Sequence, residues 1–536
     1  MLEPGTDASK AATQLPALCR QLWNGRVAAA LDERRGICRL ESRPEQLPEV
    51  CKWLAQDLDY AFATLIVEEA PSAARWLQYV FHQGGGAPWV YVDVRLAPDE
   101  RTVPSISSIV HAADWHEREI EDLFGLSFEG HPRLGEFILH EDWPEGVNPM
   151  RPAFDASRAF HQRAIEPHWE PPTIVAAPGA FAMPIGPVYA DFAESAHFLL
   201  ETVGEDVIRT IPRFFYKYRG IEKIAEGRTV DDVLLLAERF SGTAACAHAL
   251  AFCQAVEAIC GIDVPPRARA LRAGFAELER LRSHTATITG ICNSTALAVA
   301  TSQAALIEET LIRVSCQFAR HRYLFGLLTP GGVRCDLSET ARSRLATAVA
   351  SASEHLHELD RMLRYSSSFL DRLEEVGIIA TNDALAYGLV GPIARASGIS
   401  RDLRKLSPYA AYEAVDLAVP TEQDGDGYAR LRVFFREAEQ SAAIIRDILL
   451  ALPEGPICAE HKPWRSGGAL GAVEAPLGAA FHWVRLDADG LVRRYRVSPP
   501  SFTNWHGFHL AAENFAFQDF PIILASFGLS NAECDR

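Results

Sequence analysis

The stretch Glu238–His248 reads ERFSGTAACAH. It runs on into AFCQAVEAICGIDVPPRA and then ELERLRSH (Glu277–His284), and it is read together with the final residues Ser526–Arg536, SFGLSNAECDR. Both segments place small or polar side chains next to isolated cysteines. Cys246 and Cys534 stand near Ser241, Ala244, Ser530 and Glu533, but neither segment contains a Cys-x-x-Cys spacing. Neither segment therefore offers the closely spaced cysteines that a cage of soft thiolate ligands needs.

Composition narrows the class. The chain has 536 residues, enough for two or three domains with a real core. Hydrophobic residues are 48% and charged residues 23%, a globular balance. The net charge of −18 argues against a large nucleic-acid interface and favours plain solubility. The 11 scattered cysteines fit a reducing compartment and buried free thiols. The start, MLEPGTDASKAATQLP, lacks a basic region followed by an apolar core, so it does not read as a secretory signal. No apolar run reaches spanning length, and Thr295–Ile307, interrupted by Ser302 and Gln303, reads as a buried helix. No Gly-x-Gly-x-x-Gly follows a strand, so the sequence carries no dinucleotide-binding fingerprint.

Upstream, Tyr60–Ala70 and Pro88–Leu96 read as strands rich in β-branched and aromatic residues. Between them, Ala70–Gln83 has helical spacing, with Trp76, Tyr79 and Val80 on one face. Gly84-Gly85-Gly86 then reads as a turn, joining the end of a helix to a strand, the wrong order for a phosphate loop. Within Asp114–Phe154, the run WHEREIEDLF reads on its own as a charged, solvated helix, and His131 before Pro132 as a turn histidine. Glu166–Pro178, EPHWEPPTIVAAP, is proline-rich and reads as a linker.

Several of these stretches match family signatures. Trp115, Glu117, Arg118, Glu119, Asp122, Phe124, Gly125, Phe128, Gly130, His131 and Pro132 match W-x-E-R-E-x-x-D-x-F-G-x-x-F-x-G-H-P. Gly186, Pro187, Glu194, His197 and Phe198 match an entry hairpin, with Tyr189 in a histidine position. Tyr216–Glu226, Leu327–Leu337, Gly388–Tyr412 and Asp424–Gln440 extend the agreement. The chain therefore resembles the large subunit of energy-converting, formate-hydrogenlyase-type nickel–iron hydrogenases. It equally resembles the fused C and D subunits of NADH-quinone oxidoreductase, respiratory complex I. Against the hydrogenase pattern R-x-C-G-x-C-x-x-x-H, Arg239, Gly242 and His248 are in place, while Ser241 and Ala244 hold the cysteine positions. In the C-terminal D-P-C-x-x-C pattern the cysteines fall on Ser530 and Glu533. Leu477 replaces an arginine that lies over the hydrogenase metal pocket. Against complex I, Tyr189 replaces the quinone-facing histidine, Gly242 a quinone-bonding tyrosine and Ser294 an aspartate. The ending at Arg536 resembles that of the complex I D subunit and is expected of a chain that is never metal-matured.

The resemblance implies an α+β chain in two parts. Residues 1–165 are expected to form a small α/β domain like the C subunit of complex I, and 166–178 the linker. Residues 179–536 are expected to form a large, mostly helical domain with small β elements at its start and end. Pro499–Trp505 and Asp519–Ser526 match the family's last strand-like segments. The implied pocket comprises Tyr189, Glu194 and His197 as proton relay, with Ser241, Gly242, Ser530 and Glu533 as a degenerate metal or quinone pocket. Arg395, Asp402 and Arg404 are either an anion site or, as the resemblance implies, a brace at the interface with the iron–sulfur subunit.

Three functions remain open at this level. The leading one is a peripheral-arm oxidoreductase subunit, active only within a membrane-bound complex. It takes part in electron transfer to a quinone-like acceptor, coupled to ion translocation, with no nickel–iron centre. The second is a non-catalytic structural subunit of such a complex. The third is an active hydrogenase using displaced ligands such as Cys246, His248 and Cys534. The implied partners are an iron–sulfur small subunit with a 4Fe–4S cluster, like the B subunit of complex I, then a ferredoxin-like subunit and antiporter-like membrane subunits. The implied location is the cytoplasmic face of the inner (cell) membrane, peripheral and without a transmembrane segment.

Overall fold

A computed structural model describes residues 8–70, 72–158, 160–161, 163, 175–188, 194–460 and 462–536. The chain divides into two compact units, Met1–Pro172 with Ala386–Gly388, and Thr173–Leu385 with Leu389–Arg536. Most of the proline-rich stretch, residues 166–174, lies outside the described residues, and so does Tyr189.

The first unit begins with helix α1 (Ala8–Leu22) and strands β1 (Ala28–Asp32) and β2 (Ile37–Ser42). Helix α2 (Leu47–Lys52) and strands β3 (Ala61–Glu69), β4 (Arg75–His82) and β5 (Trp89–Leu96) follow. The five strands form one sheet in the order β1-β2-β5-β4-β3, with β2 and β5 parallel and the other pairs antiparallel. The helix expected over Ala70–Gln83 is a strand. Leu77, Gln78, Tyr79, Val80 and Phe81 are all fully buried, because β4 is an inner strand covered on both faces. Aromatic and β-branched side chains suit that position, and pairing with β3 and β5 overrides the weak helical spacing. Gly84, Gly85 and Gly86 do form a turn, all at positive φ, but it joins two antiparallel strands.

After β6 (Thr102–Pro104), helix α3 (Asp114–Phe124) carries the charged run, and β7 (Ser127–Glu129) follows it. The helix is packed, not solvated: Glu117 and Glu119 are fully buried. Glu117 accepts from the Ser105 hydroxyl at 2.5 Å and the Ile106 N–H at 2.9 Å, and burial lifts its carboxyl to about 8. Asp122 accepts three successive backbone N–H groups, from Phe137, Ile138 and Leu139. Arg118 lies 4.3 Å from the centre of the Phe137 ring. His131 sits in the following turn, where its Nδ1 accepts from the Arg133 N–H at 3.0 Å.

The second unit opens with β8 (Ala180–Ile185), β9 (His197–Val203) and β10 (Asp206–Arg213), then α4 (Ile221–Ile224). A bundle follows: α5 (Val230–Arg239), α6 (Ala245–Cys260), α7 (Pro266–Ser294) and α8 (Ala298–Ala319). After the short strands β11 (Leu328–Thr329) and β12 (Gly332–Val333) comes α9 (Glu339–Arg364). Short helices α10 (Ser367–Leu370), α11 (Thr381–Ala386), α12 (Gly391–Ala396) and α13 (Leu403–Leu406) lead into α14 (Gly427–Leu450). The antiparallel sheet of β13 (Gly467–Ala475), β14 (Gly478–Leu486) and β15 (Val492–Ser498) packs on α6. The chain ends in α15 (Pro500–His506), α16 (Phe508–Ala511), β16 (Phe515–Ala516), α17 (Phe520–Phe527) and α18 (Asn531–Asp535), with β16 joining the β8–β10 sheet.

Three further expectations are corrected here. Pro499–Trp505 and Asp519–Ser526 are largely helical, not strand-like. Pro500 and Pro521 occupy first-turn positions, where a missing N–H costs nothing. The stretch 233–263, which reads as helical in the sequence, is interrupted at Ser241, since α5 ends at Arg239 and α6 starts at Ala245. The Thr295–Ile307 segment is only half covered: Ala300, Ala304 and Ile307 are buried, but Val299 and Leu306 are 68% and 70% exposed. Among the described residues no helix is long and apolar enough to cross a membrane.

Candidate functional site

The break between α5 and α6 brings the Ser241 loop and the start of α6 towards the chain's last turn. At that turn Ser530 is the N-cap of α18, and its Oγ accepts from the Glu533 N–H at 3.1 Å. The Ser530 hydroxyl donates in turn to Glu194, at 3.0 Å to Oε1. The Ala532 N–H also donates to Glu194, at 2.8 Å to Oε2. Arg219 ties the two segments together, donating to the Phe240 carbonyl at 2.9 Å and to the Ala532 carbonyl. By sequence Arg219 and Glu222, at i,i+3, can pair on a helix; among the described residues they do not. Glu222 instead faces Arg494, Arg496 and Arg536.

The interior of the site is a hydrogen-bonded line. Glu533 Oε1 lies 3.0 Å from His248 Nε2, and Glu533 Oε2 accepts from the Ser501 N–H at 3.0 Å. His248 Nδ1 lies 2.9 Å from His482 Nε2 on β14, and His482 Nδ1 lies 2.8 Å from the Tyr495 hydroxyl on β15. Glu533, His248, His482 and Tyr495 are all fully buried, and the Phe240 ring packs against His248. Burial, then the neighbouring His248, holds the His482 pKa well below the usual imidazole range. Burial raises that of Tyr495 well above the phenol range. One proton arrangement satisfies every link: Tyr495 donates to His482, His482 to His248, and His248 to the Glu533 carboxylate.

Of the residues expected in the pocket, Glu194, Ser530 and Glu533 are brought together. Ser241 is buried and pairs with the Thr243 hydroxyl at 3.0 Å. Gly242 is exposed, its carbonyl facing Arg282, and a side chain added there would meet nothing within 4 Å. His197 begins β9 opposite Arg213; burial, then Arg213, lowers its pKa, and it makes none of the contacts above. His482, Tyr495 and Glu279 were not foreseen. Glu279 accepts from the Cys246 and Ala247 N–H groups at the start of α6, at 2.7 and 2.9 Å, and burial lifts its carboxyl to about 7. Its stretch, ELERLRSH, was visible, but its partners are more than 30 residues away.

This donor set does not fit a nickel–iron centre. Ala244 has no donor, and Ser530 and Glu533 are engaged by protein groups. Both ring nitrogens of His248 are occupied as well. Cys246 is buried, and burial reinforced by Glu279 pushes its thiol well above the usual range, away from the thiolate a metal needs.

Over 462 residues the chain is 31% identical to formate hydrogenlyase subunit 5 of Escherichia coli (strain K12), covering 84% of this chain and 79% of that one. The chain belongs to the family of hydrogenase large subunits and NADH-quinone oxidoreductase C/D subunits. Within that family it is 29% identical over 456 residues to hydrogenase-4 component G of the same organism, covering 85% of this chain and 79% of the relative. It is 28% identical over 494 residues to the C/D subunit of NADH-quinone oxidoreductase from Acinetobacter baumannii (strain AYE), covering 83% and 82%. Residues 40–159 match the respiratory-chain NADH dehydrogenase 30 Kd subunit and residues 308–466 the 49 Kd subunit. Residues 219–287 match the nickel-dependent hydrogenase family, the segment that holds Ser241 and Ala244 in this member.

Proposed function

We propose that the chain is a nickel-free, peripheral-arm subunit of a membrane-bound, complex I-like or hydrogenase-related oxidoreductase. It takes part in electron transfer to a quinone-like acceptor coupled to ion translocation. Family membership supports the class of assembly. The observation that carries the nickel-free reading is the full engagement of His248 and Glu533 by protein partners. The pocket comprises Glu194, His197, Ser241, Gly242, Ser530 and Glu533, with Tyr189 on the segment outside the described residues. Glu194, hydrogen-bonded to the Ser530 hydroxyl, is the proton-handling group, and the open side of Gly242 is where an acceptor has room.

In this reading residues 1–165 are the C-like domain, 166–178 the linker and 179–536 the D-like domain. The partners are an iron–sulfur small subunit with the 4Fe–4S cluster, a ferredoxin-like subunit and antiporter-like membrane subunits, at the cytoplasmic face of the inner membrane. If NADH feeds the assembly, it binds on another subunit. The test is metal analysis with electron paramagnetic resonance on the tagged complex, purified with its partners. Absence of nickel and cluster signals that shift on adding quinone are expected. Stoichiometric nickel would overturn the reading.

A second reading, a non-catalytic structural subunit, is favoured by the same closed line of buried groups. It predicts cluster signals indifferent to quinone, and full electron-transfer activity in Glu194→Gln.

A further inference from the structure

Arg395, Asp402 and Arg404 are not used in that function. They do not face a partner either, since all three are buried inside the second unit. They belong to a cluster drawn from five elements: Glu277, Arg280 and His284 on α7, Arg395 on α12, Asp402 and Arg404 at the start of α13, Glu437 on α14 and Glu474 on β13. The hydroxyls of Tyr409, Tyr412 and Ser441 complete it.

The charges of this cluster do not balance. Three guanidinium groups face four carboxyl groups. His284 does not make up the difference, because burial lowers its pKa; it donates neutrally from Nε2 to Glu437 at 2.9 Å. Burial also holds Tyr409 and Tyr412 as uncharged phenols. With every carboxyl ionised, one negative charge would stand uncompensated away from water. A buried group in that position takes up a proton.

The contacts identify which group. Glu277 accepts from Arg404 Nη1 at 3.0 Å, Tyr412 at 2.5 Å and Ser441 at 2.6 Å. Glu437 accepts from Arg395 Nη1 at 2.5 Å and from His284. Asp402 accepts from Arg404 Nη2 at 2.6 Å and Nε at 3.1 Å and from the Arg404 N–H at 2.9 Å, and it forms an ion pair with Arg395 Nη2 at 3.0 Å. Among the described residues Glu474 has the Leu403 N–H at 3.0 Å and otherwise only Arg395 Nη2, the nitrogen it shares with Asp402.

We propose that this cluster is a proton-binding site, in which one exchangeable proton resides on Glu474, beside Asp402 across Arg395 Nη2. Glu474 also links β13 to the α12–α13 segment through the Leu403 N–H, and its own N–H donates to the Tyr409 hydroxyl at 2.9 Å. Losing the proton sets two carboxylates in competition for one guanidinium nitrogen and loosens that link. The electrostatic surroundings agree: burial, then Asp402, lifts the Glu474 carboxyl to about 7. At Asp402 burial is outweighed by Arg404 and Arg395, leaving it at about 2.

Difference infrared spectroscopy on the full chain in its purified complex tests this, with the pH stepped across neutrality. Protonated-carboxyl C=O absorption that fades as pH rises is expected in the wild type, where Glu117, Glu279 and Asp535 also contribute; Glu474→Gln, whose amide mimics the loaded state, should lack the Glu474 share of it. Asp402→Asn removes the neighbouring negative charge, so that share should fade at lower pH than in the wild type. Absence of titrating absorption in the wild type, or unchanged absorption in Glu474→Gln, overturns the proposal. A midpoint unmoved in Asp402→Asn overturns the part assigned to Asp402. The wild-type titration needs no variant to fold.

Discussion

His248 Nε2 and Glu533 Oε1 stand 3.0 Å apart, fully buried, although 285 residues separate them in the chain. The pair joins the start of α6 to the last helix, and the Ser501 N–H completes the coordination of the carboxylate. Glu533→Ala removes the acceptor of two buried donors. Each donor left unsatisfied costs roughly 1–3 kcal/mol. A clear fall in the urea midpoint is expected. Glu533→Gln should cost less, because reversing the imidazole tautomers lets His248 accept from the new amide.

Glu194 lies close enough to Asp535 to affect it. Burial is the main cause that lifts the Asp535 carboxyl to about 6, and Glu194 adds to it by repulsion. Replacing Glu194 with glutamine keeps an acceptor for Ser530 and Ala532 but removes the charge. The Asp535 titration, followed by carboxyl ¹³C NMR, should then move down. An unmoved or raised midpoint would contradict the geometry.

The proton proposed on Glu474 predicts a pH signature in stability. Its folded pKa, about 7, lies above the unfolded value of about 4.3. The folded state therefore holds a proton that the unfolded chain has released. This contribution is complete below about pH 4.3 and is lost as pH rises through about 7. Glu474→Gln cannot lose it. The stability of the variant minus that of the wild type should rise across this window and then level off, as read from denaturant midpoints. Glu277 has the opposite sign: burial there is outweighed by Arg404 and Arg280, leaving it at about 2, so its contribution is lost on acidification below about pH 4.

Gly471 is where β13 meets α6. A Cβ there would stand 1.8 Å from the Ala251 carbonyl oxygen, a backbone atom that cannot step aside. Gly471→Ala should cost about 1–3 kcal/mol or more, measured by thermal unfolding. Gly242→Ala, with nothing within 4 Å, should leave the melting temperature almost unchanged.

The sequence by itself determined the family, through long matched segments, and the unsuitability of positions 241, 244, 530 and 533 as thiolate ligands. A turn was also legible, because Gly84–Gly86 carry their backbone conformations in their residue type. The tertiary structure alone decided the rest. Arg75–His82 is a strand because it is enclosed between two others, which local spacing does not express. The charged run on α3 looks solvent-facing as text, and Arg395, Asp402 and Arg404 look like an anion site or an interface brace; burial and distant partners make them internal. The same holds for the line from Glu533 to Tyr495. His248 and His482 lie 234 residues apart, and a hydrogen bond between two rings depends on where the backbone brings them, not on which residues precede them.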